Sequence, residues 1–282
     1  DDAPAATGLP ASASVTEDVT TAVDLSALAL NDFDGAVGEV YAVVITAGTA
    51  GALLATTTAG GVTVTGSGTG SLTLTGTLGD LNTFINNTAA ITYTSLANDD
   101  TSDTLAVQLR YGGGLGNAIA VGSVALDITP VNDTPTIDLD ADNSSGASGT
   151  GYTTSFQPRS EVPVAVVDSD LVIGDVDVAG GLSDTLTLAT VALSSGALDN
   201  VAQTQEKLTA VGPDVVTVGD EVRFTFDNYN PADASTYLVV AGNGTSKVTF
   251  LGTGTHAQYE AAIKSVVYEN TSGFASAGTR TI

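Results

Sequence analysis

Three aspartate pairs of the form Asp-x-Asp are the residues best placed to do chemistry: Asp32/Asp34, Asp168/Asp170 and Asp175/Asp177. In extended backbone, residues i and i+2 point to one face about 6.5 Å apart, so the two carboxylates of a pair converge. Bare, they repel. Ca²⁺ takes roughly six to eight oxygens at about 2.3–2.6 Å, from carboxylates, Asn carbonyls and backbone carbonyls, and would relieve that repulsion. The pairs are therefore read as calcium ligands. Surface Asp also caps turns and keeps a chain soluble, and for any single Asp that reading stays open.

Further acids extend the set. Asp138-Leu139-Asp140-Ala141-Asp142-Asn143 begins like an EF-hand loop, but that loop needs Gly at its sixth position and Glu at its twelfth. Here those positions hold Asn143 and Gly149. The EF-hand is rejected, while Asp138 and Asp140 remain candidates for calcium at a domain junction or for a solvated strand edge. Glu17 lies about 15 residues after a linker-type motif, where it can reach back to the linker as a bidentate ligand, and Glu161 holds a similar place later in the chain. Asp99, Asp100 and Asp103 form an acidic loop that a solvated turn explains almost as well.

Composition limits the function classes. The chain has 282 residues, and roughly 150 per domain suggests two domains. Seven Lys+Arg against 32 Asp+Glu give a net charge of −25, and Arg110 is the sole basic residue before position 132. Nucleic-acid binding is excluded, because phosphate contacts need clustered Lys and Arg; an anionic membrane surface is disfavoured likewise. With no Cys there are no disulfides, thiolate metal sites or Cys nucleophiles. The absence of Met suggests a processed or internal piece of a longer protein. No apolar run reaches the roughly 18 residues of a membrane span, so no membrane insertion is expected. Disorder is set aside, because 43% of residues are apolar and only 14% charged.

The elements that must position these acids are mostly strands. Val62–Thr65, Ser71–Thr75, Val124–Ile128 and Val222–Phe226 alternate with period two between Gly-rich breaks, the pattern of an antiparallel β-sandwich. Helical spacing occurs around Asp80–Asn87, through Leu81, Phe84 and Ile85, and around His256–Lys264, through Tyr259 and Ile263. Landmarks recur in order: Asp1-Asp2-Ala3-Pro4 with Asn132-Asp133-Thr134-Pro135, Leu28–Asp34 with Leu171–Asp177, and Ile91-Thr92-Tyr93 with Val266-Val267-Tyr268. The chain reads as two related domains, 1–131 and 132–282. In the first, Tyr93 precedes two more alternating stretches, 104–109 and 118–128. The second has no room for both before Ile282, so it is expected to lack its last strand or two: either the chain is cut short, or another chain supplies the missing edge, since an unpaired sheet edge recruits a strand.

The closing Val124–Pro135 stretch, the Val-Thr-Glu-Asp opening, Asn-Asp-Phe-Asp and Ile-Thr-Tyr-Thr together resemble the tandem cadherin-like repeats of large bacterial surface and type I secreted (RTX-type) adhesins. The second copy is similar to a variant of those repeats through Ile137–Asp140, Gly151–Thr154, Ile173–Asp177 and Tyr268–Ser272. The resemblance implies an all-β fold of two tandem Ig-like, cadherin-like Greek-key sandwiches, extracellular, with Ca²⁺ stiffening the linkers. Cadherin linkers read Asp-x-Asn-Asp-Asn before x-Pro. Aligned on Pro135, this chain offers Asn132 and Asp133 but lacks the first Asp, which implies one or two ions per junction rather than three.

The expected function is a calcium-stiffened spacer of an adhesion protein, with neighbouring repeats as partners. Two alternatives remain: a filament or surface-layer subunit completed by strand exchange between identical chains, and a glycan- or surface-binding module presenting Thr63, Thr65, Thr73 and Thr75. No enzyme is expected, since the only His, His256, reads as a lone exposed side chain and no Gly-x-Ser-x-Gly elbow occurs.

Overall fold

The computed structural model describes residues 2–48, 52–56, 60–99, 101–114, 116–157, 162–178, 184–194, 205–272 and 277–282. Asp100 and Glu161 lie outside them. The chain divides into two compact units, the first ending at Asp133 and the second beginning at Thr134.

The first unit holds β1 (Ala5–Thr7), β2 (Ser12–Thr16), β3 (Thr21–Ala22), β4 (Ala29–Asn31), β5 (Tyr41–Ala47), β6 (Leu53–Thr56), β7 (Thr63–Thr65) and β8 (Ser71–Gly76). Helix α1 (Leu78–Ile85), β9 (Ile91–Thr94), β10 (Asp103–Tyr111) and β11 (Asn117–Thr129) follow. One sheet runs β2-β11-β10-β5-β8-β7, a second runs β3-β9-β6, and β1 pairs with β4. The β2–β11 contact is parallel, whereas the β11–β10–β5–β8–β7 contacts are antiparallel, the signature of an Ig-like sandwich. Alternation on β10 puts Leu105, Val107 and Leu109 inside with Ile45, Leu72, Leu74 and Tyr93. Each fully buried aliphatic side chain contributes about 1.5–3 kcal/mol.

The second unit holds β12 (Thr136–Asp138), β13 (Val164–Ala165), β14 (Val172–Gly174), β15 (Thr185–Ala192), β16 (Glu206–Ala210), β17 (Val215–Val218), β18 (Glu221–Thr225), β19 (Tyr237–Ala241), β20 (Lys247–Thr255), α2 (His256–Lys264) and β21 (Val266–Asn270). Its sheets are β15-β20-β19-β18-β17, β13-β21-β16 and the pair β12-β14. Phe224 and Phe250 meet edge to face at 6.3 Å in its core, with Leu208, Leu238 and Tyr259 also buried.

The two units repeat each other down to single hydrogen bonds. The turn Gly66-Ser67-Gly68-Thr69 has Thr69 Oγ1 donating to Gly66 O at 2.7 Å, and Gly242-Asn243-Gly244-Thr245 has Thr245 Oγ1 donating to Gly242 O at 2.7 Å. Gly66 and Gly242 have φ of 77° and 73°; a Cβ there would stand 2.0 and 2.2 Å from the carbonyl oxygens of Ser71 and Lys247, so only Gly fits. Both helices start on a Gly-Thr step. Thr77 Oγ1 accepts from Asp80 N, and Thr255 Oγ1 from Gln258 N, the latter completing a capping box. The sequence-based helix limits were about two residues late for α1, because Thr77 caps the helix ahead of its apolar face.

The counterparts of β10 and β11 are absent from the described residues of the second unit, whose sheet ends at β15. Tyr229 and Tyr237 pack edge to face at 6.0 Å, with Arg223 over the Tyr237 ring at 4.0 Å.

Candidate metal centre

Strand pairing builds the densest acidic site. β12 and β14 are antiparallel with Asp138 opposite Val172, so the loop leaving β12 and the loop entering β14 lie side by side. Asp168 N donates to Leu139 O at 2.9 Å and fixes that approach. Asp140 and Asp142 on one loop thereby meet Asp170 on the other, with ligand oxygens all within 4.8 Å of one another. Two oxygens on one Ca²⁺ can stand up to about 4.6–5.2 Å apart, twice the metal–oxygen distance. The donors are all hard oxygens, which excludes preference for a thiophilic or imidazole-seeking metal.

Each carboxylate sits differently. Asp140 is 0% exposed; its Oδ1 accepts from Ser144 N at 3.0 Å, and its Oδ2 from Ser145 N at 3.0 Å and from the Ser145 hydroxyl. The Ser145 hydroxyl, then the Ser145 and Ser144 amides, hold its carboxyl below the usual range. Asp142 is exposed and its Oδ1 accepts from Ser144 N at 2.9 Å. Asp170 Oδ2 accepts from Asp142 N at 2.8 Å, whereas Asp170 Oδ1 is buried without a hydrogen-bond partner. Asp168 borders the group, its Oδ2 accepting from Ser144 Oγ at 3.3 Å. Among the described residues no ion pair engages Asp138, Asp140, Asp142, Asp168 or Asp170. An orphaned carboxylate oxygen amid further carboxylates fits a cation. Asp140, Asp142 and Asp170 would hold it, Asp168 standing next to them.

Asp-x-Asp spacing acts differently from pair to pair: Asp140 and Asp142 converge on the site, whereas two other pairs form turns. At Asp138/Asp140 and Asp175/Asp177 the first carboxylate turns onto the second residue's amide, Asp138 Oδ1 accepting from Asp140 N at 3.2 Å and Asp175 Oδ1 from Asp177 N at 3.0 Å. These are Asx turns, in which the first carboxylate is taken up by the second residue's amide. Asp177 is buried at the 3-10 turn Val176–Val178. Asp142 is a ligand that the three Asp-x-Asp pairs beginning at Asp32, Asp168 and Asp175 leave out; its signal in the sequence is its place in the same acidic loop as Asp138 and Asp140.

His256 is a correction. It is buried, 8% exposed, at the start of α2. Its Nδ1 lies 2.9 Å from Asp184 Oδ1, and its Nε2 lies 4.0 Å from Asp175 Oδ2. Helical spacing counts residues but does not reveal what the adjoining loops lay across the helix start.

The remaining candidates are spread through the first unit and its end. Asp34 accepts from Asp2 N through both oxygens at 3.0 Å, and Asp32 Oδ2 accepts from Tyr41 OH at 2.8 Å. Asp103 is buried, Oδ2 accepting from Tyr93 OH at 2.8 Å, and Asp99 caps a turn through Thr101. Glu17 is 1% exposed, and its Oε2 accepts from Val131 N at 3.0 Å, in the segment that follows the unit rather than in the motif at residues 1–4 that precedes it. Asn132 donates to Asp133 O at 2.8 Å. Among the described residues these acids form no group of three convergent ligands.

No family model and no curated protein matches the chain. Among solved structures, the extracellular cadherin domains 3–6 of protocadherin gamma B2 align with 15% identity and a TM-score of 0.27. That alignment covers 90% of this chain, which spans about half of that structure. The protein is an all-β chain of Ig-like sandwich architecture carrying an acidic loop pair fit for a hard cation.

Proposed function

We propose that the chain is a structural segment of an extracellular adhesion protein, a spacer whose second unit is clamped by Ca²⁺ at Asp140, Asp142 and Asp170. The observation that carries this reading is the buried, unpartnered Asp170 Oδ1 set among convergent carboxylates. A cation there ties the loop after β12 to the loop before β14, near the start of the unit. The acidic balance of −25 suits a calcium-rich exterior, since extracellular modules bind with Kd of about 10⁻⁴–10⁻³ M and fill only at millimolar ion. Nothing in the site calls for catalysis: three acids with a serine-rich loop hold a metal, and His256 is engaged with Asp184. Titration calorimetry with CaCl₂, on the native chain and on Asp170→Asn, tests the site. Small-angle scattering in calcium and in chelator tests the spacer role; a profile indifferent to chelation, with no heat of binding, overturns the reading.

A further inference from the structure

Ser145 joins the acidic site to a segment that carries none of its ligands. A hydroxyl has one proton to give and two lone pairs to receive, and the Ser145 hydroxyl uses all three. It donates to Asp140 Oδ2, and it accepts from Ala147 N at 3.3 Å and from Thr153 N at 3.1 Å. Its own amide donates to the same carboxylate oxygen at 3.0 Å. Asp140, the fully buried carboxylate of the site, is thereby tied to the backbone at Thr153.

The segment reached in this way, residues 150–156, has no strand pairing of its own. At its start Thr150 O accepts from Leu139 N at 3.1 Å. At its end Phe156 stands edge to face on Tyr268 of β21, ring centroids 5.2 Å apart, packed against the core of the unit. Between these two anchors lies the Thr153 contact. Thr153 is an exposed residue, so the Ser145 oxygen is what shields its amide from solvent exchange.

Resting on the reading that calcium binds at Asp140, Asp142 and Asp170, we propose that Ser145 is a positioning residue that couples the cation to residues 150–156. The Thr153 N–H, the Ser145 hydroxyl and the Asp140 carboxylate form hydrogen bonds in series, each polarised by the next. Loading the site fixes Asp140, then Ser145, then the Thr153 amide. Emptying it leaves three like charges whose repulsion acts on the loop that carries Ser145. Coupling is reciprocal: docking of the segment tightens the cation by the factor by which the cation favours docking. A fall in calcium therefore loosens this stretch of the second unit as well as the two acidic loops.

NMR-detected amide exchange and titration calorimetry on the whole chain, with CaCl₂ as the probe, test the coupling. Calcium is expected to slow exchange at Thr153 about fivefold or more relative to EGTA. Asp170→Asn, which removes a ligand that lies outside the segment, should abolish that slowing. Ser145→Ala is expected to weaken calcium binding about fivefold or more and to leave exchange at Thr153 equal in calcium and in EGTA. Ser145→Thr, which keeps the hydroxyl, restores both. No heat of binding on the native chain overturns the calcium reading and the coupling together. Normal heat with Thr153 exchanging equally fast in calcium and in EGTA, or native affinity and native slowing retained by Ser145→Ala, overturns the coupling alone.

Discussion

Withdrawing calcium should lower the melting temperature of the second unit by an amount the site itself bounds. One cluster of convergent acids occurs among the described residues, so one binding term applies. At 1 mM free ion and a Kd of about 10⁻⁴–10⁻³ M, linkage gives about 0.4–1.4 kcal/mol. For a unit of this size each kcal/mol moves the midpoint by about 2–4 °C, so EGTA should lower it by about 1–6 °C. Asp170→Asn sharpens the test. Two carboxylates with oxygens within 4.8 Å repel by about 3 kcal/mol or more at an effective dielectric of 20, and exposure of Asp142 and salt reduce this to the order of 1 kcal/mol. The substitution removes that repulsion while keeping an oxygen for Asp142 N. Its midpoint in EGTA should therefore match or exceed that of the native chain, and its calcium increment should vanish. Differential scanning calorimetry in CaCl₂, MgCl₂ and EGTA reads all of this. Equal midpoints in the three conditions, or a full calcium increment retained by Asp170→Asn, would refute the reasoning.

Three other outcomes are expected. The Asp140 carboxyl is held low by Ser145, so its stabilisation is present above the ordinary carboxyl range and lost as pH falls through the depressed folded value. In EGTA, Ser145→Ala should show a smaller drop in midpoint between neutral and acid pH than the native chain; an equal drop discounts the contact. Burial pushes the phenols of Tyr259 and Tyr268 up to about 12, with the Glu206 charge adding to the latter. A raised acid stabilises fully below its ordinary value of about 10 and loses that contribution as pH rises toward 12, so ultraviolet titration should show late ionisation coincident with unfolding. Phe250→Ala, which empties a 0% exposed position against Phe224, should cost the second unit about 3–5 kcal/mol while calorimetry finds the first unit's transition unmoved.

By itself the sequence determined the local elements. Alternation located strands such as Ser71–Gly76 and Asp103–Tyr111, because half-buried strands bury every second side chain. Recurring landmarks such as Ile91-Thr92-Tyr93 and Val266-Val267-Tyr268 matched β9 to β21, and helical spacing found α1 and α2. Tertiary structure decided which acids meet. Asp142 and Asp170 are 28 residues apart and are joined by the β12–β14 pairing; Glu17 reaches Val131 across 114 residues; Asp184 reaches His256 across 72. Spacing within an Asp-x-Asp pair carries no record of those closures. At Asp138 and Asp175 it also misleads locally, because a short carboxylate finds the amide two residues on and turns the chain, whereas Asp140 and Asp142, equally spaced, do converge.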